Sequence, residues 1–323
     1  MTLEPLSSVR RLAILTIAAA ATACASDDDS AATGSTNDAT HTEIAVGDFV
    51  FDALVAGPED GEVVFLLHGF PQTSYEWRHQ LSALAEAGYR AIAPDQRGYS
   101  PRARPTTVAD YAITNLTQDV IGMADVLGVQ RFHVVGHDWG ASVAWALAVI
   151  NPDRLITVNP ISVPHLAAFA EQLADPTSCQ YAASSYVDVF ITPEATDSFV
   201  TNDNASLRAI YGDLPAEDVE VYVDALGSRE AIDAALNWYR ANLPSGRATP
   251  PPPFPVVAIP TLYTWSDGDI ALCREGAEAT QDFVTGPYRF EILAGVDHWV
   301  PDKASDRYNP LLLDHLEAFA ETP

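Results

Sequence analysis

From Glu43 onward, short apolar runs alternate with longer amphipathic stretches. Val63-Val64-Phe65-Leu66-Leu67 leaves no polar side chain for water, the pattern of a strand buried on both faces. Residues 90–93, 132–135, 155–161, 256–264 and 288–293 read as strands too. Between them, residues 78–87, 114–127 and 141–150 have helical periodicity, with Leu116, Val120, Met123, Ala124 and Leu127 on one stripe of the second. Residues 44–51 and 53–56 look like an opening hairpin, and 311–320 like a closing amphipathic helix. Strand then helix, repeated, predicts a mostly parallel sheet with helices on both faces.

The alternation stops at His165. Up to about Leu243 the pattern is helical, with no buried strand, and the sheet resumes after Pro250-Pro251-Pro252-Pro253-Phe254-Pro255. An insertion of this kind predicts a helical cap (residues 165–249) between two parts of one core (43–164 and 250–323). It should lie over the C-terminal edge of the strands, where open α/β sheets bind ligands. At 323 residues the chain is long enough for one domain carrying such an insertion.

The first residues follow a different rule. Arg10-Arg11 precede a short small-and-apolar run, residues 12–23, too short to span a bilayer as a helix. It ends Ala21-Thr22-Ala23-Cys24, which resembles a bacterial lipobox. Residues 1–23 therefore read as a lipoprotein signal peptide, with Cys24 the lipidated residue. Residues 24–42, rich in Ser, Thr, Asp, Ala and Gly, read as a flexible tether. The expected location is the bacterial cell envelope, with membrane contact only through the anchor. The 44 acidic against 17 basic residues (formal charge −27, Lys303 the only lysine) repel nucleic acid and anionic headgroups, which excludes both as partners.

Candidate chemistry sits at the strand ends. Gly136-His137-Asp138-Trp139-Gly140 joins a strand to a helix, and its glycines allow a turn that pushes Asp138 out at the sheet edge. A carboxylate needs no deprotonation to attack an alkyl carbon at neutral pH. After residue 67 comes His68-Gly69-Phe70-Pro71, with His68 read as structural. After the cap comes an acidic loop with Asp267 and Asp269, and after the last strand Asp297-His298-Trp299. Nucleophile, acid and histidine in that order match an α/β-hydrolase.

From Glu43 to the C-terminus the chain resembles the epoxide hydrolase and haloalkane dehalogenase branch of the α/β-hydrolases, and epoxide hydrolases most. The resemblance includes Asp95-Gln96-Arg97-Gly98-Tyr99-Ser100, read as structural. It implies Asp138 as nucleophile and His298 as base. It favours Asp269 as the orienting acid, four residues after Trp265. It also implies an oxyanion hole from the backbone N–H groups of Phe70 and Trp139. Leu236-Asn237-Trp238-Tyr239-Arg240 resembles the family's second-tyrosine motif, and Tyr186, spaced before Phe190 and Pro193, resembles the first. Tyr181, Tyr211 and Tyr222 read as packing or surface residues.

The implied reaction opens an apolar epoxide to a diol through an ester on Asp138, with no cofactor and no metal. A haloalkane dehalogenase is the alternative on the same nucleophile, but Phe70 stands where that branch has its halide-binding asparagine. Trp139 stands where fluoroacetate dehalogenases place arginine, and a serine esterase would need serine at Asp138. An alternative of another class is a non-catalytic ligand-binding lipoprotein that keeps the fold. On the same resemblance, Cys179 lies in the cap shortly before Tyr186, and Cys273 lies four residues after Asp269. With Cys24 lipidated they are the only thiols left in an oxidising compartment, so a disulfide tying the cap to the acid loop is expected.

Overall fold

The computed structural model describes residues 39–248 and 254–321. The expected signal peptide, Cys24 and nearly all of the expected tether lie outside these residues. No helix among the described residues is long and apolar enough to cross a membrane.

Eight strands form one sheet: β1 (Thr40–Val46), β2 (Phe49–Ala56), β3 (Val63–Leu67), β4 (Arg90–Pro94), β5 (Phe132–His137), β6 (Leu155–Ile161), β7 (Thr261–Ser266) and β8 (Tyr288–Leu293). Their order is β1-β2-β4-β3-β5-β6-β7-β8. β1 and β2 run antiparallel to their neighbours, and all later pairs are parallel. This is the mostly parallel sheet expected from the alternation, in the α/β-hydrolase architecture that the resemblance implies.

The core helices are α1 (Arg78–Glu86), α2 (Ile113–Val126) and α3 (Trp139–Ile150) before the cap. After it come α11 (Arg274–Ala279), α12 (Val300–Lys303) and α13 (Ser305–Ala318). The cap between them contains α4 (Leu166–Ala174), α5 (Cys179–Ala183), α6 (Val187–Phe190), α7 (Glu194–Val200), α8 (Ala205–Ile210), α9 (Ala216–Leu226) and α10 (Arg229–Asn242).

The two-residue period of a strand explains why the central runs are apolar throughout. Val63, Phe65 and Leu67 of β3 face one core with Val120 of α2 and Leu147 of α3. Val64 and Leu66 face the other, with Leu84 of α1 and Leu312 of α13. α3 is buried along nearly its whole length, which suits its Ala- and Val-rich sequence.

Four element boundaries differ from the sequence reading. The sheet begins at Thr40, inside the expected tether: Thr40, His41 and Thr42 pair with Val55, Leu54 and Ala53. Backbone pairing holds this edge, and Ile44 is the only fully buried residue of β1, so no apolar pattern marked it. The hairpin turns at Gly47-Asp48 and not at Asp52, because Gly47 takes the left-handed φ of +57° that a two-residue turn requires. β7 starts at Thr261 and not at Val256. Pro255 and Pro260 have no N–H for a ladder, and Val257 makes only an isolated bridge to Val284. The closing helix starts earlier than expected, at Ser305, and carries Pro310 within it.

The Asp95–Ser100 motif braces the sheet. Arg97 grips Asp119 of α2 through Nε and Nη2 at 2.7 and 2.6 Å, and Nη1 donates to the Asp110 carbonyl at 2.8 Å. Both side chains are about nine-tenths buried. Trp238 of α10 donates its indole N–H to the Arg97 carbonyl at 2.8 Å, which docks the cap on the same loop. Removing one partner strands a buried charge. Arg97→Met is therefore expected to cost about 3–5 kcal/mol of unfolding free energy in urea titration; a loss below about 1 kcal/mol would contradict a structural role.

Candidate active site

Parallel pairing delivers the chemical residues to one edge. Leu67 of β3 lies opposite Gly136 of β5, so the turns after these strands emerge side by side. Ser266 of β7 lies opposite Leu293 of β8, which does the same for the loops of Asp269 and His298. In the turn after β5, Asp138 has φ +51° and ψ −119°, a strained conformation for a residue with a Cβ. The chain returns so tightly that a Cβ on Gly140 would lie 1.8 Å from the Leu67 carbonyl oxygen, and one on Gly136 would lie 2.1 Å from that of Gly140. Only glycine fits at either position.

The backbone N–H of Phe70 donates to Asp138 Oδ1 at 2.9 Å. The Trp139 amide makes no such bond here; its ring packs edge-on against Tyr239 with centroids 5.1 Å apart. His298 Nε2 stands 3.6 Å from Asp138 Oδ2, while its Nδ1 is 2.8 Å from Asp269 Oδ2. Asp269 Oδ1 accepts the amides of Ala271 and Leu272 at 2.8 and 3.0 Å. Asp267 turns away and accepts from Gly295 N–H at 2.6 Å. Of the two acids in the loop, only Asp269 meets the histidine.

Burial opposes charge on His298, but Asp269 and Asp138 outweigh it and raise its pKa to about 10. Burial likewise works against the Asp269 carboxylate. His298 and the two amides nevertheless hold its pKa below the ordinary value.

Tyr186 and Tyr239 line the same cavity as Asp138, with ring centroids 6.2 Å apart. Burial and the nearby Asp138 raise both phenol pKa values, so both remain proton donors. Tyr211 and Tyr222 are committed elsewhere, to the Pro71 carbonyl and to Asp302, and Tyr181 lies under Arg247. The remaining cavity wall is mostly apolar, with Ile113, Val163, Leu166, Phe169, Leu243 and Phe254 beside Ser142 and Asn242 around about 300 Å³. The sequence reading missed these wall residues. They come from separate segments of core and cap, and no local pattern separates them from ordinary core.

Two histidines are structural. His68 accepts the Gln96 N–H on Nε2 and donates from Nδ1 to the Gly69 carbonyl, and burial lowers its pKa to about 4. His137 donates from Nε2 to the His298 carbonyl at 2.9 Å, and burial with the nearby His298 lowers its pKa to about 3. Behind it, fully buried Glu76 stands 3.5 Å from His137 Nδ1. Burial and the charges of Asp302 and Asp138 push the Glu76 pKa well above its ordinary value.

A carboxylate in a strand–helix elbow, facing a histidine–carboxylate pair under a helical cap, defines a class of hydrolase. Residues 63–311 match the family model described as the alpha/beta hydrolase family. The chain is 36% identical over 272 residues to the AB hydrolase superfamily protein YfhM of Bacillus subtilis, covering 81% of this chain and 92% of that protein. It is 30% identical over 297 residues to epoxide hydrolase A of Mycobacterium tuberculosis, with the same coverage of 81% and 92%. Among solved structures it superposes with TM-score 0.77 and 31% identity on an epoxide hydrolase of this superfamily from hot-environment metagenomes, covering 86% of this chain and 98% of that one. Epoxide hydrolase A of Mycobacterium thermoresistibile gives TM-score 0.67 at 27% identity, with 88% and 100% covered. The chain belongs to the alpha/beta hydrolase family. Within it, this protein is an epoxide hydrolase-like enzyme.

Cys179, at the start of α5, and Cys273, just before α11, form a disulfide with Cα atoms 6.1 Å apart. Mass spectrometry of unreduced digests should recover their peptides as one linked species. Closing a loop with a sequence separation of 94 should contribute about 2–4 kcal/mol, lost on reduction. Recovery of two separate thiol peptides would contradict the pairing.

Proposed function

We propose that this protein opens apolar epoxides to diols through an ester on Asp138. The observation that carries the reading is the set of groups around one carboxylate. Phe70 N–H holds one of its oxygens, His298 approaches the other, and two phenols share its mostly apolar cavity.

In the first step, Asp138 Oδ2 attacks a ring carbon. The carbon–oxygen bond of the epoxide breaks, and its oxygen takes a proton from Tyr186 or Tyr239; solvent restores the phenol. In the second step, His298 Nε2 takes a proton from water, and the resulting hydroxide adds to the ester carbonyl carbon. Negative charge develops on Oδ1, where the Phe70 amide already points, with the Trp139 amide as the second donor. Collapse expels the alkoxide, which takes the proton from His298; the Asp138 carboxylic acid left behind then loses its water-derived proton to solvent, and the carboxylate returns. Asp269 keeps the imidazole oriented throughout. The steps need neither metal nor cofactor. The small apolar cavity suits an uncharged substrate.

The pKa of about 10 on His298 belongs to the protein with Asp138 charged. Ester formation removes that charge, so the imidazole becomes easier to deprotonate just when a base is needed. Hydrolysis requires the neutral ring. Its rate should therefore fall as pH falls through the ester-state pKa, with a midpoint well below 10. A single-turnover midpoint near 10 would contradict this coupling.

His298→Gln should trap an alkyl ester on the Asp138 peptide, visible as a mass shift, and Asp138→Ala should abolish turnover. Tyr239→Phe should slow epoxide opening, and adding Tyr186→Phe should slow it further. Rapid bromide release from a bromoalkane, with epoxide activity intact in the double variant, would favour a dehalogenase. A chain that forms no ester with either substrate class would be a binder that keeps the fold.

The lipobox-like Ala21-Thr22-Ala23-Cys24 supports export and lipid anchoring as part of the same proposal. Full-length protein expressed in a bacterium should fractionate with membranes, and Cys24→Ala should release it. Soluble cytoplasmic protein in both cases would end that part of the reading.

A further inference from the structure

The cap touches the chemistry at a second place, away from its tyrosines. Gln180, the second residue of α5, is 1% exposed and turns its amide toward the acid loop. Nε2 donates to the Ala271 carbonyl at 2.7 Å and to Ser184 Oγ at 2.9 Å, and Oε1 accepts the Cys273 N–H at 3.0 Å. Both donor hydrogens and one acceptor site are in use, so the amide has a single orientation.

The Ala271 carbonyl and the Leu272 N–H belong to one peptide group. Gln180 holds that peptide by its oxygen, while its N–H donates to Asp269 Oδ1 at 3.0 Å. A hydrogen bond at the carbonyl polarises the peptide and strengthens the N–H as a donor. The next peptide is fixed by the Cys273 N–H bond to Gln180, and the Cys179–Cys273 disulfide closes the same patch one residue away. Asp269 Oδ2 is then aimed at His298 Nδ1.

We propose that Gln180 is a positioning residue for the Asp269–His298 pair, acting through the 271–273 backbone. The cap thereby supports the hydrolytic half of the reaction as well as ring opening. This rests on the aspartyl-ester reading above. Gln180 touches no reacting atom, so its effect should fall on one step and on one titration.

The test is rapid-quench single turnover of Gln180→Leu with an epoxide, following the mass of the Asp138 peptide. Ester loss should slow about ten- to a hundredfold, as expected for a base held slightly out of line, and by far more than ester formation. Because a loosened Asp269 supports the imidazolium less, the acid-side midpoint of hydrolysis should move to lower pH. The downfield His298 Nδ1–H proton resonance should weaken or shift. Equal slowing of both steps, or hydrolysis with its rate and midpoint unchanged, would overturn the proposal. If Gln180→Leu does not fold, Gln180→Glu keeps the shape and the acceptor for Cys273 but turns a carboxylate oxygen toward the Ala271 carbonyl. The same selective loss is expected there, and intact hydrolysis would overturn the proposal. Absence of any ester in the wild type would instead remove the aspartyl-ester reading, while the proton resonance would still report whether Gln180 orients the pair.

Discussion

The site depends on how closely the first turn of α3 passes over the ends of β3 and β5. That approach is possible because Gly136 and Gly140 have no Cβ, and it forces Asp138 into a positive φ between them. The strain lifts the carboxylate clear of the sheet into the cavity under the cap. It also brings the carboxylate to the turn after β3, where the Phe70 amide meets it. Packing across the two sides of the sheet, with α1 and α13 on one and α2 and α3 on the other, holds the strained turn in place. A looser contact at Gly140 would relax the elbow and move Asp138 away from both Phe70 and His298.

Electrostatics at this edge follows from burial as much as from pairing. Asp138, Asp269 and His298 share a site largely closed to water, and although burial opposes charge on the ring, the two carboxylates outweigh it and favour the imidazolium. In the proposed reaction, neutralising one carboxylate would shift that balance and let a single histidine pair with the resting Asp138 and later serve as a base. Glu76 and His137 lie immediately behind, where burial works against the charged form of each, reinforced by the nearby carboxylates at Glu76 and by His298 at His137.

The cap is more than a cover. α10 brings Tyr239 and docks through Trp238 on the Arg97 loop; the turn before α6 brings Tyr186; α5 clamps the acid loop through Gln180 and the disulfide. On the other side, Arg78 of α1 joins Asp218 of α9 at 2.9 Å. These contacts fix the cavity at about 300 Å³ and line it with apolar side chains from core and cap together.

Much of this was legible along the chain. Alternating apolar runs identified the parallel sheet, their interruption marked the cap, and glycine spacing at 136–140 marked the elbow, because periodicity and turn chemistry are local properties. The residues nominated from motif order, Asp138, Asp269 and His298, are ones the structure brings within hydrogen-bonding or near-contact distance. Edge strand β1, the start of β7 and the cavity wall were not legible. β1 is held by backbone pairing, β7 is delayed by prolines, and the wall is assembled from segments far apart in sequence. Gln180 carried no signal at all, since a glutamine in a helical cap looks the same whether it faces water or a peptide group. By itself the sequence determined the class of fold and the chemical identity of the groups. How far apart the groups stand and which cap residue meets the acid loop were decided by tertiary packing, because those distances are set by contacts between elements that no local pattern encodes.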